Sequence, residues 1–284
     1  MLIVTTDRLS AFDRILARVP YKGQVLNQLS GWWFAQTADI IPNHIESLPD
    51  PNAAVVTRAE PFMVEVIVRG YITGVTSTAL WYRYSLGERN IYGYQFPEGL
   101  QKNALLPEPI ITQTTKGGAT GHDERLTCAE VVEKGLLDAK TWDQVQSAAL
   151  AIFKRGQEVA NKAGMILVDT KYEFGKKDGK IYLIDEVHTP DSSRYFYKEG
   201  YEQRQKAGEQ QKQLSKEFVR QWLIENGFQG KTGQKVPEMT DAIVKNISDR
   251  YKELYQQVVG QPLGEINYDN ILERIETSIV NSII

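Results

Sequence analysis

The stretch from Met165 to Glu186 constrains this chain more than any other. Met165-Ile166-Leu167-Val168-Asp169-Thr170-Lys171-Tyr172-Glu173-Phe174-Gly175 reads as one strand and Lys180-Ile181-Tyr182-Leu183-Ile184-Asp185-Glu186 as a second. Lys176-Lys177-Asp178-Gly179 between them carries a strong hairpin-turn signal. Side chains alternate across a strand, so Asp169, Lys171 and Glu173 share one face. The hairpin brings Asp185 near Glu173, with the register deciding how near. Three carboxylates and one ammonium then gather on a single sheet face. Two readings are open at this point. One is a solvated polar face with cross-strand ion pairs. The other is a Mg–nucleotide site, since Mg²⁺ takes few protein carboxylates and completes its shell with phosphate oxygens and water.

Beyond Asp185, the run Thr189-Pro190-Asp191-Ser192-Ser193-Arg194 packs hydroxyls, a carboxylate and a guanidinium into one turn. Such groups hold phosphates, and they also build ordinary turns. Elsewhere, Met1–Thr6, Ala53–Val56 and Phe62–Val68 read as strands, with Gly70 and Gly74 breaking the chain after the last. Helices are expected over Gly23–Thr37, Thr127–Gly135, Asp138–Gly164, Leu214–Asn226 and Pro237–Val259. Residues 76–125 read as mostly loop, broken by six glycines and three prolines. In the tail, Ile271, Ile275, Ile279 and Ile283 fall at helical spacing. That tail is expected to pack on the body or to mediate association, a homo-oligomer included.

Composition narrows the function. With 284 residues the chain makes one large domain or two modest ones. A net charge of −3 argues against bulk electrostatic binding of nucleic acid. The single cysteine, Cys128, excludes an internal disulfide and a Cys-rich zinc site, and suits a cytoplasmic setting. No apolar run reaches the roughly 18–20 residues of a membrane span. Met1–Thr6 lacks the basic and apolar regions of a signal peptide. Trp32, Trp33 and Phe34 sit at helical spacing and read as core, as does Cys128; His44 reads as a loop residue, and His188 as positional rather than a metal ligand.

Asp185-Glu186-Val187-His188-Thr189-Pro190-Asp191-Ser192-Ser193-Arg194 resembles the signature of the SAICAR synthetases, the phosphoribosylaminoimidazole-succinocarboxamide synthases. Leu167–Gly175, Thr6–Asp13, Val64–Gly74 and Thr114-Thr115-Lys116 are similar to further family segments, in the same order, over residues 1 to about 255. The resemblance implies an α+β fold of two lobes around an ATP cleft. Residues 1–65 would form an antiparallel-sheet lobe, 66–260 the substrate- and metal-binding lobe, and 261–284 a helical extension. It implies an ATP-dependent ligase of purine biosynthesis that joins L-aspartate to carboxyaminoimidazole ribonucleotide through an acyl phosphate.

The resemblance also implies roles. Glu173 and Asp185 would bind Mg²⁺, with Glu65, Lys116, Glu173 and Asp185 on ATP. Lys171, Asp123 and Asp191 would act in catalysis. Asp13, Arg69, Ser77, His122, Ser193 and Arg194 would hold substrate. One departure is expected to matter. The family opens with a strand–loop–strand bearing a Gly-Lys-type segment, and no such segment precedes Leu2. The first lobe is therefore expected to be incomplete, and a catalytically impaired relative that still binds the nucleotide is the alternative. A phosphotransferase acting on a different acceptor is a third reading.

Overall fold

The computed structural model describes residues 1–12, 14–117 and 123–283. Asp13 and His122, both expected in the site, lie outside them. The chain enters through β1 (Leu2–Val4), the β2 (Arg8–Ala11) and β3 (Arg14–Arg18) hairpin, and α1 (Lys22–Gln36). Next come β4 (Ile45–Asp50), β5 (Ala53–Val56), β6 (Glu60–Pro61) and β7 (Val64–Tyr71). Strands β1, β5 and β4 form a small antiparallel sheet in that order.

A helix α2 (Leu80–Ser85), the short pair β8 (Asn90–Ile91) and β9 (Tyr94–Gln95), β10 (Leu105–Thr115) and β11 (Arg125–Leu126) follow. Then come α3 (Cys128–Glu133), α4 (Ala139–Lys162), β12 (Met165–Lys177), β13 (Lys180–Ile184) and β14 (Ser193–Tyr197). Helices α5 (Tyr201–Ala207), α6 (Glu217–Glu225), α7 (Asp241–Val259) and α8 (Ile271–Ile283) complete the chain. The large sheet runs β11-β10-β7-β12-β13, with β14 and β6 also paired to β12, and every ladder in it is antiparallel. The expected α+β class is therefore the one observed.

Period-two alternation gives the sheet its two faces. Val64, Val66 and Val68 of β7 and Tyr172 and Phe174 of β12 are buried in the main core. Ala149, Ile152 and Phe153 of α4 belong to the same cluster, as do Leu29, Trp33 and Phe34 of α1. The opposite face of the same strands carries Glu65, Arg69, Asp169, Lys171 and Glu173, and that face becomes the site.

Three expectations need correction. The described residues within 76–125 are loop outside α2, the β8–β9 pair, β10 and the start of β11, but the mostly-loop reading leaves out the long strand β10, which pairs along β7 inside the large sheet. Pro107 and Pro109 read as breakers, but the ladder shifts register between Leu105 and Ile110, so the prolines fall where no partner requires their N–H. Gly70 does not end its strand: β7 continues to Tyr71. A Cβ at Gly70 would lie 3.1 Å from Gln157 and 3.3 Å from Phe153, so the glycine lets α4 lie close. The hairpin turn is two residues, Asp178-Gly179, both with positive φ, because β12 extends to Lys177. Among the described residues, no helix is long and apolar enough to cross a membrane.

Candidate active site

The site is built outward from β12. Asp169 faces Arg69 across β7 on one side and Arg194 across β14 on the other. Its Oδ2 accepts from Arg69 Nη1 at 3.0 Å and from Arg194 Nη1. Arg69 also donates to Thr112 Oγ1 at 2.8 Å. Arg194 donates to Glu217 Oε2 at 3.1 Å, and the same oxygen takes Arg220 at 3.2 Å. Burial disfavours the Arg194 charge, but Asp169 and Glu217 outweigh it and hold the guanidinium firmly protonated. These partners fix the orientation of both buried arginines.

The turn after β13 delivers the other wall. Asp185 and His188 adopt φ of +67° and +52°, a conformation that non-glycine residues rarely hold outside constrained sites. Thr189 Oγ1 accepts the amides of Asp191 (3.2 Å) and Ser192 (3.3 Å), and Ser192 Oγ accepts the amide of Thr189 at 3.2 Å. Ser193 Oγ donates to Thr170 Oγ1 at 2.8 Å, tying the turn to β12. Asp191 meets Lys22 Nζ at 2.9 Å, Lys216 Nζ at 3.4 Å, and the Tyr251 hydroxyl. Burial pushes the Asp191 carboxyl up, yet Lys216, Lys22 and Tyr251 overcome it and hold it at about 2. Lys216 is pulled below its ordinary range by burial, against the attraction of Asp191.

Together these residues line a cavity of about 230 Å³ whose wall carries Arg69, Lys171, Arg194, Lys216 and Arg220 against Asp169, Asp191 and Glu217. Five cations against three anions make a pocket for a small polyanion. A neighbouring hollow of about 380 Å³ is lined mainly by amide side chains, Gln101, Asn103, Gln211 and Gln213 among them, and lacks arginine. The charge therefore marks the smaller cavity as the chemical one.

Lys171 joins this cavity to a second group. Its ammonium lies 3.1 Å from Asp185 and 3.4 Å from Glu65, and also bonds Glu173, which in turn binds Lys116. Burial lowers the Lys171 pKa, but Asp185, Glu173 and Glu65 reverse the effect and raise it. Burial raises Glu173, and Lys171 with Lys116 brings it back to about 2. Glu65 stays raised, since burial outweighs the pull of Lys171. Of the open alternatives, ion-paired face and metal–nucleotide site, the ion pairs of the first are present. The second is not thereby lost, because Asp185 keeps 44% of its side chain exposed. Among the described residues no three His, Cys, Asp or Glu side chains converge on one point. Two carboxylates, Glu173 and Asp185, are the number a phosphate-borne Mg²⁺ takes from a protein.

Other expected residues lie further out. Asp123 is exposed and accepts the Gly117 amide at 3.1 Å. Ser77 is exposed in a turn, and Thr76 lines the cavity instead. His188 is buried against Tyr172 and, at 4.5 Å between ring centroids, Trp33. Sequence reasoning missed Lys22, Lys216, Glu217, Arg220 and Tyr251. The i,i+4 spacing of Lys216 and Arg220 at the start of α6 was the available signal.

The model of the family described as SAICAR synthetase matches residues 1–236. A phosphoribosylaminoimidazole-succinocarboxamide synthase of Bacteroides thetaiotaomicron is 51% identical over 282 residues, covering 99% of this chain and 88% of its own length. One from Cytophaga hutchinsonii is 52% identical over 284 residues, covering 100% of this chain and 90% of its own. The solved SAICAR synthase of Saccharomyces cerevisiae, complexed with SAICAR, superposes with a TM-score of 0.77 at 32% identity. That match covers 93% of this chain and 90% of the yeast one.

Proposed function

Since the chain belongs to the SAICAR synthetase family, we propose that its arginine-lined cavity holds carboxyaminoimidazole ribonucleotide and that the adjoining carboxylate–lysine face holds ATP. The activity is that of an ATP-dependent ligase of purine biosynthesis. A carboxylate is a poor acylating agent. Transfer of the ATP γ-phosphoryl group to the imidazole carboxylate gives an acyl phosphate and ADP. The aspartate amine then attacks the acyl carbon, an amide bond forms, phosphate leaves, and the amine loses a proton. The protein's share of such phosphoryl transfer is positioning and charge neutralisation.

The observation that carries this reading is the position of Lys171. It lines the anion cavity and also touches Glu65, Glu173 and Asp185, so one ammonium stands where nucleotide phosphate and substrate carboxylate must meet. Arg69, Arg194, Lys216 and Arg220 supply charge for the ribonucleotide phosphate. Ser193 is engaged with Thr170 and shapes the turn. Asp191, ionised and shared by two lysines, serves as their anchor rather than as a base. Glu173 and Asp185 would hold Mg²⁺, which neutralises phosphate charge when bound; Lys116 sits beside Glu173 for the same phosphates. In this reading residues 1–65 form the nucleotide-side lobe, 66–260 the substrate-side lobe and 261–284 an extension, and the enzyme works in the cytoplasm.

The test is ADP release from the purified chain with ATP, Mg²⁺, the imidazole nucleotide and L-aspartate. Release that requires all four supports the reading. Nucleotide binding indifferent to Mg²⁺, with no aspartate-dependent release, overturns it.

A further inference from the structure

The chain beyond Gly260 lies outside the stretch matched by the family model, yet it reaches back to the site. The Gly264 carbonyl accepts from Gln24 Nε2 at 2.7 Å. The Tyr268 hydroxyl accepts the Tyr21 amide at 2.6 Å, and the two rings meet edge to face at 4.8 Å. Further along, Arg274 binds Asp50 at 2.9 and 3.0 Å and Asn52 at 2.7 Å, and Ser278 reaches Asp50 at 3.3 Å. Asp50 is fully buried, so this end of the segment is firmly anchored.

Tyr21 is the residue under constraint. It precedes α1 with φ +68°, a left-handed conformation taken without glycine's freedom. Its neighbours are pinned too: Pro20 accepts from Ser248 Oγ at 2.6 Å, and the Gly23 amide donates to Asp7 at 2.9 Å. The residue between Tyr21 and Gly23 is Lys22, buried with 3% exposure, whose ammonium reaches Asp191.

We propose that the C-terminal segment is a positioning element for the anion cavity: Tyr268 holds Tyr21 in its left-handed conformation and so sets Lys22 against Asp191. Asp191 is shared between Lys22 and Lys216. When Lys22 slackens, Asp191 draws more strongly on Lys216, and less positive charge faces a bound anion. Tyr268 lines no part of the cavity, so it acts through Lys22. The inference rests on reading that cavity as the ribonucleotide site.

Tyr268→Phe keeps the ring and removes the hydroxyl. Acetylation footprinting of the full chain reads Lys22 without any turnover. Lys22 is shielded in the native protein, and it should label about three- to tenfold faster in the variant, the range one hydrogen bond spans. The KM for the imidazole nucleotide should rise by a similar factor of about three to ten, with kcat changing less. In a Lys22→Met background the same substitution should leave KM where it was. Unchanged Lys22 labelling overturns the proposal, and so does an equal rise in KM in both backgrounds, which would mark general loosening. Faster Lys22 labelling in a chain without ligase activity sustains the positioning role and overturns the ligase reading instead.

Discussion

Gly156→Ala sets two physical effects against each other. In an isolated helix the change stabilises by about 1 kcal/mol, because alanine gives up less backbone entropy than glycine. In this protein Gly156 faces the turn that carries the site. A Cβ there would stand 2.4 Å from His188 Cε1, 2.9 Å from His188 Nδ1 and 2.6 Å from Leu167 Cδ2. The His188 ring cannot easily retreat: Nε2 is bonded to the Tyr172 hydroxyl and the ring packs edge-on against Trp33. Its backbone is already left-handed and its carbonyl takes the Tyr195 hydroxyl at 2.8 Å. Overpacking of this kind costs about 1–3 kcal/mol, so after the helical gain the net loss is about 0–2 kcal/mol. Thermal unfolding followed by circular dichroism should show the midpoint falling by about 2–4 °C per kcal/mol lost. Because His188 sits between Asp185 and Asp191, the KM for the imidazole nucleotide should rise as well. A midpoint above that of the parent would mean helix propensity wins, and the close packing of α4 on this turn would be refuted.

Asp185→Asn should leave the fold intact, since asparagine tolerates the left-handed conformation, while Mg²⁺-dependent ADP release falls by about 10²–10³-fold; full activity would refute the metal assignment. Arg194→Met takes one of two guanidinium partners from each of the buried carboxylates Asp169 and Glu217, leaving Arg69 on the first and Arg220 on the second, and urea unfolding should report a loss of about 1–3 kcal/mol; a loss well under about 1 kcal/mol would show that the buried ion network is not what holds β14 to β12. Stability should also fall in acid. Burial holds His188 at about 3 and His44 at about 4, while the unfolded chain takes up both protons near pH 6.5. Between about pH 6.5 and those values the unfolded state binds more protons, so stability drops as pH falls through that window. Glu186, raised to about 7 by burial and by Asp191 and Asp185, acts in the opposite sense above about pH 4.5. The measurement is therefore a difference: His188→Gln should flatten the acid limb of a midpoint-against-pH curve, and an unchanged limb would rule out His188 as its source.

The sequence by itself determined the elements that rest on local rules. The Asp178-Gly179 turn follows from left-handed propensity, and α4 begins where Asp138 caps it and Thr127 with Glu130 closes a capping box on α3. Alternation alone put Asp169, Lys171 and Glu173 on one face, and the Asp185–Arg194 run carried the family resemblance. Tertiary structure decided what depends on partners distant in the chain. Strand β10 was illegible because its two prolines are tolerated only at a register shift against β7, a fact about a neighbour some 40 residues away. The cavity's second set of cations, Lys216 and Arg220, comes from the start of α6, and Lys22 of α1 reaches its wall through Asp191; apart from the i,i+4 spacing of the first two, nothing local distinguishes them from solvated charges. The surroundings of Asp191 were hidden for the same reason, since only the fold brings two lysines and Tyr251 onto one carboxylate. The tail's isoleucines announced a helix, but its place depended on Asp50, a buried carboxylate at the other end of the chain that Arg274 alone, among the described residues, meets with an opposite charge.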